Sequence, residues 1–158
     1  MIRVNGSASL TDIPQSQQFQ IGGQATVRGH DEGLLNGDSG ILVTAEARYN
    51  FWNNSRLHYN PYNPIFSKQN LKRELCEGSR ADVFLFFDNG GVFYRIHPAD
   101  SGSYDNLASI GTGTLLTLGK HFSAILGYGQ PIFTDGASEQ YRSTMRHGNF
   151  FMNVRSMF

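Results

Sequence analysis

Six stretches of this chain alternate apolar and polar residues with a period of two, and this pattern limits the fold more than any other feature. In an extended strand successive side chains point to opposite faces, so a period of two marks a segment with two different surroundings. The stretches lie at about residues 2–10, 40–49, 81–90, 107–118, 121–129 and 148–158. In the first, Ile2, Val4, Gly6, Ala8 and Leu10 oppose Arg3, Asn5, Ser7 and Ser9. In the second, Ile41, Val43, Ala45, Ala47 and Tyr49 oppose Leu42, Thr44, Glu46 and Arg48. In the third, Val83, Leu85 and Phe87 oppose Asp82, Phe84, Phe86 and Asp88. The fourth sets Ile110, Thr112 and Leu116 against Ser109, Gly111 and Gly113. The chain therefore reads as all-β.

Composition removes several function classes. Lys and Arg number 13, as do Asp and Glu, so no net charge calls for nucleic acid. No apolar run approaches the roughly 20 residues of a membrane-crossing helix. That does not remove the membrane, because a barrel strand shows lipid only one apolar face. The lone cysteine, Cys76, has no partner for a disulfide, and no His or Cys stands at metal spacing from it. The histidines are scattered, and no nucleophile, zinc or phosphate-loop motif is present. The chain is read as a non-enzyme that needs no cofactor.

Alternation alone fits a soluble β-sandwich as well as a barrel. Two details favour the barrel. Each stretch is close to the roughly 9–11 residues that a tilted strand needs to cross a bilayer. The links also alternate in length: Gly119-Lys120 is a tight turn, whereas those after the first, third and fifth stretches are long. Barrels alternate short periplasmic turns with long external loops. The connection 50–80 breaks this rule. It is rich in Asn, Tyr and Pro, and Ile65 to Leu75 reads as a short helix with Ser67 as its cap.

The connection 11–39 is too long for an inert link within a compact domain. Its apolar residues Phe19, Ile21, Val27, Leu34 and Leu35 need burial. Gly22-Gly23 and Gly29 permit sharp reversals, so the segment reads as a folded-back hairpin with Arg28 near its tip. Asp88 projects from the polar face of the third stretch. A carboxylate turned into a barrel is costly unless paired or hydrated. Arg28 is the natural partner, since its fork binds a carboxylate through two parallel hydrogen bonds. In a fully wet lumen such a pair is worth roughly 0–1 kcal/mol.

An ordered series of motifs makes this specific. Gln18-Phe19-Gln20-Ile21-Gly22-Gly23 is followed by Val27-Arg28-Gly29-His30, Gly37-Asp38-Ser39-Gly40 and Glu46-Ala47-Arg48. Phe86, Asp88 and Gly90 then form an F-x-D-x-G pattern, and the chain ends on Phe158. The series resembles the two-partner secretion transporters of the ShlB/FhaC/HecB kind, which secrete and activate hemolysins. The resemblance implies that Val27, Arg28, Gly29 and His30 form the motif of a loop folded into the lumen. It implies that Arg28 contacts Asp88 on the inner wall, with Phe86 and Gly90 shaping the contact, and that Phe158 is an outer-membrane targeting signal. Where the family usually has Tyr or Phe, this chain has His30; an imidazole is smaller and can titrate near pH 6.5, so docking is expected to be weaker or pH-sensitive here.

The resemblance implies a fold as well: the C-terminal six antiparallel strands of a transmembrane barrel of about sixteen, within the range known for such barrels. Its implied partners are a secreted hemolysin- or adhesin-like exoprotein, outer-membrane lipid and the barrel assembly machinery. No charged and then apolar leader is read ahead of Ile2, and the POTRA domains that the resemblance implies for exoprotein recognition are expected to lie outside this chain. The chain is accordingly expected to be part of a transporter and inactive alone. Two alternatives stay open: a BamA-like insertase barrel and a soluble β-sandwich binding module.

Overall fold

The computed structural model describes residues 1–11, 13–53, 78–94, 104–119, 121–135 and 147–156. The strands are β1 (Ile2–Ser7), β2 (Phe19–Ile21), β3 (Leu35–Gly37), β4 (Ser39–Asn53), β5 (Arg80–Phe93), β6 (Tyr104–Leu118), β7 (Phe122–Thr134) and β8 (Asn149–Ser156). A 3₁₀ turn at Gln15–Gln17 precedes β2. Six strands form one antiparallel sheet in the order β1-β4-β5-β6-β7-β8, and β2 and β3 form a second, two-stranded ladder. The chain is all-β, and no helix among the described residues is long and apolar enough to cross a membrane.

The strands differ in extent from the alternation. β1 stops at Ser7 rather than Leu10, because the backbone N–H of Ser9 turns to the Ser39 hydroxyl. β4 runs on to Asn53, β5 to Phe93 and β7 to Thr134. Irregular registers at Asn50/Trp52 and Ala108/Ser109 let pairing continue where the simple pattern ends. β6 begins at Tyr104, whose ring packs on Phe93 with centroids 4.7 Å apart. Phe158, Lys120 and the expected helix with Ser67 lie outside the described residues, as does Cys76.

Register sorts the two faces. Thr44, Asp88 and Ser109 lie in one cross-strand row, and Glu46, Phe86, Gly111 and Gly129 in the next. Arg48, Phe84, Gly113, Gly127 and Phe151 make a third. The opposite face carries Leu85, Phe87, Ile110, Leu126, Met152 and Val154, all exposed. A sheet whose bare face is apolar and whose covered face is polar inverts the usual soluble arrangement. A sandwich would place a second sheet over the apolar face. Here the β2–β3 ladder lies on the polar side, with Ile21 and Val27 against Gly90 and Phe19 against Gly40.

The core lies between that ladder and the large sheet. Ile21, Val27 and Leu35 pack with Leu42, Val92 and Leu107, all buried, and Phe19, Leu34 and Tyr94 close the cluster. Residues 19–37 therefore form a hairpin with a hydrophobic underside, seated on the polar face of β4, β5 and β6. Burying such side chains stabilises docking by about 1.5–3 kcal/mol each relative to exposure.

Candidate functional site

The hairpin's tip is shaped by short-range bonds. Phe19 pairs with Gly37, Gln20 with Asn36 and Ile21 with Leu35. Beyond this stem the Thr26 hydroxyl donates to the Gly22 carbonyl at 3.0 Å and accepts from the Gly22 N–H at 2.9 Å. The Glu32 carboxylate accepts from the Gln24 N–H at 2.8 Å, closing the tip from the other side. Gly22 and Gly23 adopt φ of 108° and 96°, a region that L side chains rarely enter. The tip therefore presents four consecutive residues, Val27 to His30, to the polar face of the large sheet.

Each of the four meets a different feature. Val27 is fully buried over Gly90, where an added Cβ would lie 2.9 Å from a Val27 methyl. Arg28 binds Asp88 through two side-chain nitrogens, Nε to Oδ2 at 2.7 Å and Nη2 to Oδ1 at 2.9 Å. Its backbone N–H donates to the same carboxylate at 3.2 Å. The guanidinium also stacks on Phe86, 3.7 Å from the ring centroid. Gly29 lies against the backbone of Gly129 on β7. His30 is 3% exposed, and its Nε2 donates to the Ala108 carbonyl at 3.1 Å.

The structure thus gathers Val27 and Arg28 with Phe86, Asp88 and Gly90, while Gly29 and His30 sit on β7 and β6. Asp88 has no exposed surface. The small value of a wet ion pair therefore does not apply: removing Arg28 leaves a buried, uncompensated carboxylate. Burial alone would lower the affinity of the Arg28 guanidinium for its proton. The hydrogen bonds and charges of Asp88 and Glu46 outweigh it and hold the group above the ordinary arginine value.

Glu46 is the partner that the sequence reading did not assign. Arg28 Nη1 donates to Glu46 Oε2 at 3.1 Å, and Arg48 bonds the other oxygen of the same carboxylate. A signal was present, since Glu46 falls on the polar face of its strand and in the motif series. Its register opposite Phe86 turns that placement into contact. Small residues make room for the rings: a Cβ on Gly111 would stand 2.3 Å from Phe86 Cζ, and one on Gly113 2.5 Å from Phe84 Cζ. The result is a chain of charges, Asp88–Arg28–Glu46–Arg48, laid over aromatic rings. It contains no nucleophile paired with a base, and no group of side chains among the described residues could hold a metal ion. What the arrangement does chemically is clamp a loop to a sheet.

No curated protein and no solved structure matches this chain. A family model does: that of the haemolysin secretion/activation protein ShlB/FhaC/HecB, over residues 2–115 of the 158. This span holds the docked hairpin, β4, β5, most of β6 and every residue of the charge chain, while β7 and its Gly129 lie beyond it. The family is one of outer-membrane transporters that act with secreted exoproteins in two-partner secretion. The chain belongs to the ShlB/FhaC/HecB family.

Proposed function

We propose that this chain supplies the C-terminal strands of an outer-membrane barrel that secretes and activates a hemolysin- or adhesin-like exoprotein, with the docked hairpin setting the pore's working conformation. The observation that supports this most directly is the two-sided sheet: an apolar face left bare and a polar face to which Arg28 ties the hairpin through Asp88. In lipid the apolar face needs no protein cover, and the polar face turns to a lumen. β1 and β8 each pair on one side only in this sheet. An unpaired strand edge in lipid is costly, so these edges join further strands of a barrel of about sixteen. The POTRA domains that receive the exoprotein belong to the complete transporter. Insertion is the work of the barrel assembly machinery, with Phe158 as the targeting residue.

The test is a secretion assay in a Gram-negative host making the transporter that carries this chain. Arg28→Ala and Asp88→Ala are expected to reduce exoprotein release while heat-modifiable barrel persists in the outer membrane. Normal release by both variants removes the role given to the loop. Absence of any heat-modifiable species removes the barrel. Deleting Phe158 is expected to lower the amount of barrel in the membrane, and an unchanged level removes the targeting role.

A further inference from the structure

The hairpin is held to the sheet in two separate places. Arg28 binds β4 and β5 through Glu46 and Asp88. The next two residues bind β6 and β7. Gly29, at φ 92°, turns the chain against Gly129 and sends His30 into a buried site. One ring nitrogen, Nε2, is bonded to the Ala108 carbonyl, and because a carbonyl only accepts, Nε2 carries the hydrogen. The other, Nδ1, is buried and has no hydrogen-bond partner among the described residues.

A neutral ring suits this site. It leaves only an unfilled lone pair on Nδ1. A protonated ring would bring a second N–H and a full charge into a place that offers no acceptor for them. None of the ionisable groups nearby is hydrogen-bonded to Nδ1. Asp31, the next residue, is exposed and accepts from the Asn149 amide at 3.2 Å. β6 carries Tyr104 and Asp105, and Asp105 is hydrogen-bonded by Tyr94. The ionisable side chain of β7, Tyr128, donates to Gln130 at 2.8 Å. On β5, Asp88 is taken by Arg28.

We propose that His30 is a positioning residue and an acid-sensitive latch: its neutral ring holds the hairpin tip on β6 and β7, and protonation frees that part of the tip while Arg28 stays bound to Asp88. Burial pushes the His30 imidazole below its ordinary value of 6.5, against the smaller opposing effects of the Ala108 carbonyl and the Asp31 charge. The docked tip therefore binds fewer protons than the released one. Docking is full above about pH 6.5 and weakens as pH falls below it, by at most about tenfold per pH unit for one proton. The inference rests on the docked loop having the role proposed above, but its test reads the loop itself. Its failure is thus separable from a failure of the secretion assay.

The experiment is hydrogen exchange of the Gly29, His30 and Asp31 amides in the purified, detergent-solubilised transporter, corrected for intrinsic rates, between about pH 7.5 and pH 5. Wild-type protection is expected to fall several-fold below pH 6.5. It should stay flat in His30→Gln, which donates to Ala108 but does not titrate, and still fall in Asp31→Asn. Flat wild-type protection overturns the proposal, as does an equally steep fall in His30→Gln. Should His30→Gln fail to dock at either pH, the titration of the wild-type ring by NMR decides. A midpoint below 6.5 that coincides with the loss of protection supports the latch, and one at or above 6.5 overturns it.

Discussion

Gly29 and Gly129 meet backbone to backbone: a Cβ on Gly29 would lie 2.6 Å from the Gly129 carbonyl carbon, and one on Gly129 2.8 Å from the Gly29 Cα. Neither position has room for a methyl group. Gly29 also sits at φ 92°, where an L side chain is strained, whereas Gly129 is not in that region. The contact seats the loop's second half on β7.

Gly29→Ala is therefore expected to destabilise docking more than Gly129→Ala. Overpacking costs about 1–3 kcal/mol in either variant. The left-handed backbone adds roughly 1–2 kcal/mol in Gly29→Ala alone. Limited proteolysis of the loop in the purified protein gives the order, and equal protection in the two variants contradicts the assignment of strain to Gly29.

Truncating Arg28 is expected to cost docking about 3–5 kcal/mol, the range for breaking a buried pair, because Asp88 loses its partner. Arg28→Lys keeps the charge but loses the fork and most of the stacking on Phe86, so it should be intermediate in loop protection and in secretion. A double-mutant cycle of Arg28→Ala with Asp88→Ala should return a large coupling. Additive effects would mean that the pair is not a unit.

Glu46→Gln should weaken docking less than Asp88→Asn does. Glu46 takes one of the Arg28 bonds, while Asp88 takes two side-chain bonds and the backbone N–H. A hydrogen bond to a charged group contributes about 1.5–3 kcal/mol, and Gln retains an acceptor, so a loss at or below the lower end is expected. Loop protease resistance measured for both variants checks the order.

Gly111 is the seat of Phe86, and through Phe86 of Arg28. A Cβ there would stand 2.3 Å from Phe86 Cζ and 2.2 Å from the Tyr128 carbonyl oxygen. Gly111→Val should displace the ring, with loss of the cation–π contact, about 0.5–2 kcal/mol, on top of the overpacking cost. The expected result is weaker loop docking with Arg28 and Asp88 both intact. Wild-type proteolysis of this variant would show that the ring can move without disturbing the guanidinium.

How far the sequence could be read differs from residue to residue. The faces of Val83 to Asp88 were legible, because alternation along an extended backbone is local. The hairpin's apolar underside was legible in Phe19, Ile21, Val27 and Leu35, which no exposed loop would carry. The strand ends were not. Ser9 leaves the ladder for Ser39, and β5 continues through Gly90 and Gly91 to Phe93, both matters of distant partners. Glu46 was visible as a polar-face residue but not as a partner of Arg28.

By itself, then, the sequence determined that this chain forms two-faced strands, and it marked Arg28, Asp88 and Phe86 by their motifs. Both follow from residue types and spacings along one backbone. Only the tertiary structure decided that one guanidinium joins Asp88 and Glu46, residues 60 and 18 positions away, that it lies on Phe86, and that Gly29 and His30 fasten the same loop to β7 and β6. Those contacts depend on inter-strand register and on where the hairpin comes down on the sheet. A shift of one residue in the register of β5 would turn Asp88 to the opposite face, and a shift of the hairpin would carry Arg28 away from it.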